Sequence, residues 1–420
     1  MRCRIITAWL CFTSLTMTAG TAAGQAPDES QLARFKEKVR QDMTSIPNYT
    51  CLESIERAHR EPHASSFKPV DRVHLEVSSV AGKELFAWPG SRQFEDRGVA
   101  SLVTSGMIGA GMFATFAQDL FVSGKGTLQY RGAEKLDGRA AVRYDFHLTQ
   151  QESRGEIRVN GAAELVAANG SFWFDPLSLD LIRLDTYGDA LPSNLRLAEA
   201  VFRTFYARTH IGDSDALLPK RSELTMAYFS GEADRAVIEF SQCREYGSTS
   251  IIRFDTPPTL PEAPKPQVRQ VDLPAGLLVP VELDAAIDSK TASVGDTLHA
   301  RVVERIGYKG DLLVPRGAAI TGHIRRLDRR TSYGAFAVGI EFSEVEWEGA
   351  RASFFAELVD LNRKSAGAHW PLKDYESHAH KALIEKGVFF IDGTRFRIAP
   401  RFHMLWRTLA PTGSAAAQAP

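Results

Sequence analysis

The residues best equipped for chemistry are histidines. His378-Ala379-His380 sets two imidazoles one residue apart, with His369, Asp374 and Glu376 near them in sequence. Alternate residues of a strand share a face, so this pair could hold one transition ion and serve a metal-dependent hydrolase. The run from Asn362 to His380 is polar and reads more simply as a loop between strands, so no metal and no other cofactor is assigned to it. His59 and His63 stand four apart, but Pro62 between them denies them a common helical face. The chain carries no G-x-S-x-G elbow and no H-E-x-x-H helix. Acidic pairs such as Asp185/Asp189 and Glu344/Glu346 read as solvated faces.

Two glycine-rich runs test for phosphate binding and fail. Gly106, Gly109 and Gly111 spell G-x-x-G-x-G, the wrong order for a dinucleotide loop, and no buried parallel strand precedes them. In Ser123-Gly124-Lys125-Gly126-Thr127, glycine stands where a hydroxyl must hold magnesium. The formal charge of -1, with acids and bases spread along the chain, argues against a nucleic-acid footprint. The chemistry left is that of a binding or structural protein rather than an enzyme.

The elements that must position any site follow from the chain order. Arg2 and Arg4, an apolar run from Ile5 to Met17 and small residues from Ala19 to Gly24 predict a signal peptide over 1–24. The apolar run is short for a membrane span, and no later segment qualifies. An exported chain with Cys51 and Cys243 outside that segment is expected to form one disulfide. Leu32, Phe35, Val39 and Met43 recur at helical spacing. Val73, Leu75 and Val77 alternate with polar residues as in a half-buried strand, and Lys83 to Trp88 reads as its hairpin partner. Short strands with turn signals, Asn169-Gly170 and Asp175-Pro176 among them, continue to Asp255 and predict an antiparallel meander with one or two helices on one face. The apolar stretch through Met107, Phe113, Phe116 and Phe121 is expected to pack on that sheet as helix, lid or core.

A leading amphipathic helix, a long meander and the turn Trp173, Asp175, Pro176 make residues 28–255 similar to the half-barrel of periplasmic lipoprotein carriers (LolA-like). That resemblance implies an antiparallel half-barrel sheet and an apolar or lipid-like ligand on its concave face, with Met107, Phe113, Phe116 and Trp173 as candidate lining residues. The chain also looks like uncharacterised exported bacterial envelope proteins.

Five prolines between Asp255 and Pro266 predict an extended linker over 256–267. A second β module is expected over 268–409, a small barrel or sandwich, with a disordered tail over 410–420. Pro274 to Gly276, Ser289 to Gly295 and Leu313 to Gly322 resemble the C-terminal β module of TrbI/VirB10-like envelope proteins. Asp392-Gly393 is a hairpin signal between two apolar runs. The expectation is therefore a mainly β, non-catalytic protein of the periplasm or outer cell envelope, binding an apolar ligand or a protein partner. A structural or assembly module of the envelope is the alternative.

Overall fold

The computed structural model describes residues 29–80, 83–91, 94, 98–103, 106–109, 117–159, 162–246, 268–330, 334–361, 368–369 and 387–410. The predicted signal segment, the proline-rich linker, Phe113, Phe116, His378 and His380 lie outside them.

The chain is mainly β. It opens with helix α1 (Glu29–Ser45), whose Phe35 and Val39 are buried. Twelve strands follow: β1 (Tyr49–Arg60), β2 (Lys68–Val80), β3 (Lys83–Ala87), β4 (Thr127–Leu136), β5 (Arg139–Leu148), β6 (Glu156–Val159), β7 (Ala162–Leu165), β8 (Ala167–Phe174), β9 (Leu181–Asp189), β10 (Leu197–Ile211), β11 (Ser214–Tyr228) and β12 (Ala233–Glu245). Ten of them form one antiparallel sheet in the order β3-β2-β1-β12-β11-β10-β9-β8-β5-β4, while β6 and β7 pair apart as a small hairpin. The sheet is curled into a half-barrel.

The register shows which residues share the inner face. Across the sheet, Val73, Ile55, Ile238, Ser222, Thr204, Leu184, Phe172 and Tyr144 stand opposite one another in turn. α1 lies over one end of this row. Phe35 stacks on Phe174 at 4.3 Å and on Phe172 at 5.6 Å, and meets Phe121 edge-on at 5.0 Å. Phe121 belongs to a single helical turn, Gln118–Val122, which completes this cluster. Between Val99 and Phe121 the described residues thus hold two short turns, Val99–Ser101 and Gln118–Val122. Asn169-Gly170 is inside β8 and not a turn. A Cβ on Gly170 would lie 2.4 Å from the Phe146 ring and 2.1 Å from the Asp185 carbonyl oxygen, so glycine there admits the aromatic across the strand pair.

Cys51 on β1 and Cys243 on β12 form a disulfide across 192 residues. It ties the first long strand to the last. Loop entropy alone would make it worth up to about 5 kcal/mol.

The described residues of 268–410 build a second sheet. Its order is Arg269–Gln270, Ala350–Ser353, Ala335–Trp347, Ala319–Arg330, Thr297–Val302, Leu278–Leu283, His403–Thr408, Ala356–Leu361, with Val388–Asp392 also paired to Ala335–Trp347. The Asp392-Gly393 hairpin does not form. Val388–Asp392 pairs with residues 335–339, and Arg397–Ile398 pairs with Ile287–Asp288. Long-range pairing with deeply buried partners outweighs the local turn preference.

The two sheets join along an edge. β3 covers only Glu76–Val80 of β2, leaving the start of β2 open. There Val294 donates to the Arg72 carbonyl at 2.8 Å and accepts from the His74 amide at 2.7 Å. An open strand edge is a liability, and this contact covers Arg72 to His74 of it. Gly295 is required: its φ is +95°, and a Cβ would sit 2.1 Å from the His74 carbonyl oxygen. His74 Nδ1 and Asp296 Oδ1 are 3.0 Å apart, and His323 stacks on Trp88 at 6.0 Å under the Arg325 guanidinium. The apolar cluster beneath β1–β3 runs on without a break into the second sheet.

Candidate functional site

Beyond Val39 the helix and the sheet do not close on each other. A cavity of about 340 Å³ remains between the last turns of α1, the helical turn at 117–122 and the inner face of β9–β11. Met43 and Ile46 form its roof. Leu181, Tyr206, Leu217 and Leu218 form its floor. Asn48, Ser79, Glu84 and Gln118 stand at its polar margin.

Local sequence explains why the floor is hollow here. Pro219 lies opposite Tyr206 at a register shift between β10 and β11. Proline cannot donate to a ladder, and it occurs in sheets where pairing is interrupted. β12 pairs with β11 only from Arg221 onward, so Pro219 lies beyond that ladder.

The roof is held by charge. Arg208 on β10 donates to both oxygens of Asp42 on α1, at 3.1 and 2.8 Å, and to Asp180 at 3.2 and 2.5 Å. Lys38 reaches Asp42 at 3.3 Å and Asp180 at 3.6 Å. The bonds from Asp180 and Asp42 hold the Arg208 guanidinium above its ordinary range. The pairs are part-exposed, so each contributes little alone, but together they set the helix over the cavity mouth.

The inner face behind the cavity is polar where alternation asks for apolar residues. On the inward phase of β1 the buried side chains are Tyr49, Cys51, Glu53, Ile55 and Arg57, and Thr50 is buried on the other phase. Arg57 is matched by Asp71, at 2.6 and 2.5 Å. Glu53 is 3% exposed, and its Oε2 finds no hydrogen-bond partner. Burial, and then the Glu84 carboxylate, push its carboxyl up to about 8, so it is protonated at neutral pH. Burial, then Glu84, also raises the Tyr49 phenol, and burial raises Tyr206. The site therefore offers an apolar floor whose margin carries the Tyr49 and Ser79 hydroxyls, the Asn48 and Gln118 amides and the Glu84 carboxylate, with Arg40 and Asp42 of α1 beside them.

The sequence-derived candidates divide. Met107 is part-buried against the core under β1–β3, away from the cavity, with Gly106 beside it lying on the Arg57 guanidinium. Trp173 is on the outer face. It packs between Arg143 at 5.4 Å and Arg183 at 5.1 Å, with its indole N–H donated to Glu134. Its neighbours Phe172 and Phe174 point inward instead, as a period of two requires. Phe113, Phe116 and the His378/His380 pair fall outside the described residues. Tyr206, Leu217 and Leu218 were missed. Their sequence signal was Pro219 in an otherwise strand-like run, and that of Glu53 was an acid on the apolar phase of β1.

No family model matches the chain, the secretion-system β module among them, and no curated protein matches it. Solved structures do. A putative outer membrane lipoprotein-sorting protein domain from Vibrio parahaemolyticus is 12% identical over 50% of this chain and 91% of its own, with a TM-score of 0.28. A LolA superfamily protein from Nitrosomonas europaea is 12% identical over 51% and 93%, with a TM-score of 0.26. The lipoprotein LppX from Mycobacterium tuberculosis is 11% identical over 52% and 98%, with a TM-score of 0.18. Overlaps this loose define no common site, so the geometry above rests on this chain's own residues. No helix among the described residues is long and apolar enough to cross a membrane.

Proposed function

We propose that the first sheet binds an apolar, acyl-like ligand in the cavity under α1, as an exported, non-catalytic protein of the cell envelope. The observation that carries this reading is the hollow between α1 and the inner face, floored by Leu181, Tyr206, Leu217 and Leu218. Its volume is at the lower end of the range of about 300–1,000 Å³ usual for ligand sites, which suits one chain or a compact apolar molecule. The amides and hydroxyls at the margin suit a polar head held outside the apolar floor.

The test is native mass spectrometry of protein purified from its own envelope, followed by titration of delipidated protein with a fluorescent fatty acid. Bound lipid, and saturable probe binding lost in Leu217→Trp, support the reading. Probe binding unchanged in a folded Leu217→Trp protein refutes it, because an indole there fills the cavity.

A second reading, an envelope assembly module, is favoured by one surface of the second sheet. Leu278, Phe355 and Leu409 are 53%, 50% and 42% exposed, and the Leu409 amide bonds to the Phe355 carbonyl. Native spectra showing a stoichiometric protein partner, lost in Phe355→Glu, would support it; a ligand-bearing monomer would exclude it.

A further inference from the structure

A second cluster of ligating groups stands at the far end of the first sheet, apart from the cavity. β1 and β12 are antiparallel with His59 opposite Asp234. Glu61 is two residues beyond His59, and Glu232 is two residues before Asp234. Glu61 and Glu232 are thus the first residues past the paired ends of β1 and β12, next to the His59–Asp234 pair. One ligand atom each from His59, Glu61 and Glu232 lies within 4.8 Å of the others.

Asp234 determines what His59 can do. Its carboxylate Oδ1 is 2.8 Å from His59 Nδ1 and accepts from it, so Nε2 is the ring nitrogen left to face a metal ion. Asp234 is itself held by the Tyr228 hydroxyl, which donates to Oδ2 at 2.9 Å. A carboxylate on the far ring nitrogen is the usual support of a metal-bound histidine. Ser230 Oγ holds Glu232 Oε2 at 3.2 Å, leaving Oε1 for a ligand.

His59 is the basic group of the cluster, with Nε2 4.0 Å from Glu61 Oε1. Arg60 and Arg235, on the same two strands, sit over the Phe67 ring at 5.3 and 4.6 Å. Among the described residues, no lysine or arginine pairs with Glu61 or Glu232.

We propose that His59, Glu61 and Glu232 bind one divalent transition-metal ion, with zinc the best fit. One imidazole and two carboxylates are ligands zinc accepts at about 2.0–2.2 Å, and small rotations of the part-exposed side chains bring the three atoms to that separation. Three protein ligands leave a fourth position to water. The bound ion would join the end of β1 to the turn between β11 and β12. Asp234 acts as a positioning residue.

The full chain, stripped with EDTA, is titrated with zinc chloride and its metal content measured after dialysis. One zinc per chain is expected. Uptake should vanish in His59→Ala and weaken at least tenfold in Glu232→Gln, with the circular dichroism of both stripped variants matching wild type. Asp234→Asn should weaken binding by about 10–100-fold and alter the visible absorption of the cobalt-loaded protein. Absence of uptake at micromolar zinc overturns the site. So does uptake that survives in both His59→Ala and Glu232→Gln, or that is lost only in the His378→Ala/His380→Ala double variant.

Discussion

Replacing Glu53 with glutamine should make the protein more stable as the pH rises. In the folded chain burial holds this carboxyl at about 8, whereas an unfolded chain leaves it near its ordinary value of 4.5. Below 4.5 both states are protonated and Glu53 has no effect on folding. Between 4.5 and 8 the unfolded state releases a proton that the folded state keeps, so stability falls with rising pH. At about 1.4 kcal/mol per pH unit, the cost grows to about 3 kcal/mol at pH 7 and about 5 kcal/mol above pH 8. Glutamine cannot ionise and is free of this cost. Its amide adds a roughly constant penalty of about 1–3 kcal/mol if left unpaired, so the slope with pH is the quantity to compare. Urea midpoints of wild type and Glu53→Gln, measured from pH 5 to 8 and converted with a common m-value, should diverge steadily in favour of the variant. A difference that stays flat across that range would refute the burial of a protonated Glu53.

Other outcomes follow from the same structure. Gly295→Ala forces a Cβ against the His74 backbone at a positive φ, so it should cost about 1–3 kcal/mol and expose the β2 edge, read as faster proteolysis between the halves. Reducing the Cys51–Cys243 bond, or replacing both cysteines with alanine, should lower stability by up to about 5 kcal/mol, checked by denaturant midpoints with and without reductant. Burial lowers His323 to about 4, so the unfolded chain takes up its proton first as the pH falls below 6.5. Stability should therefore drop between pH 6.5 and 4, and less so in His323→Phe, which keeps the stack on Trp88; equal acid sensitivity of the two proteins would contradict this.

Much of the architecture is legible because it depends on local period. Phe35 and Val39 at helical spacing, and Val73, Leu75 and Val77 at a period of two, commit their segments whatever surrounds them. Cys51 and Cys243 could be paired on compartment alone, as the two cysteines outside the predicted signal. The misleading signals were those whose meaning depends on a distant partner. Asn169-Gly170 resembles a turn, yet the glycine is there to admit Phe146. Asp392-Gly393 resembles a hairpin, yet its flanks pair with residues 335–339 and 287–288. Trp173 was grouped with the inward aromatics, although one step of strand phase turns it outward under two arginines.

Local pattern was enough for the class of the protein: a β-rich chain with an amphipathic helix before its first strand, and Cys51 and Cys243 suited to an oxidising compartment. Where the cavity lies depended on tertiary packing. The cavity draws its floor from β9, β10 and β11 and its roof from α1, segments more than 130 residues apart in the chain. The same holds for the closure of the β2 edge by Val294 and for the meeting of His59 with Glu232. Periodicity tells which side of a strand a residue takes. Register and curl, set by the packing of the whole sheet, decide what it faces.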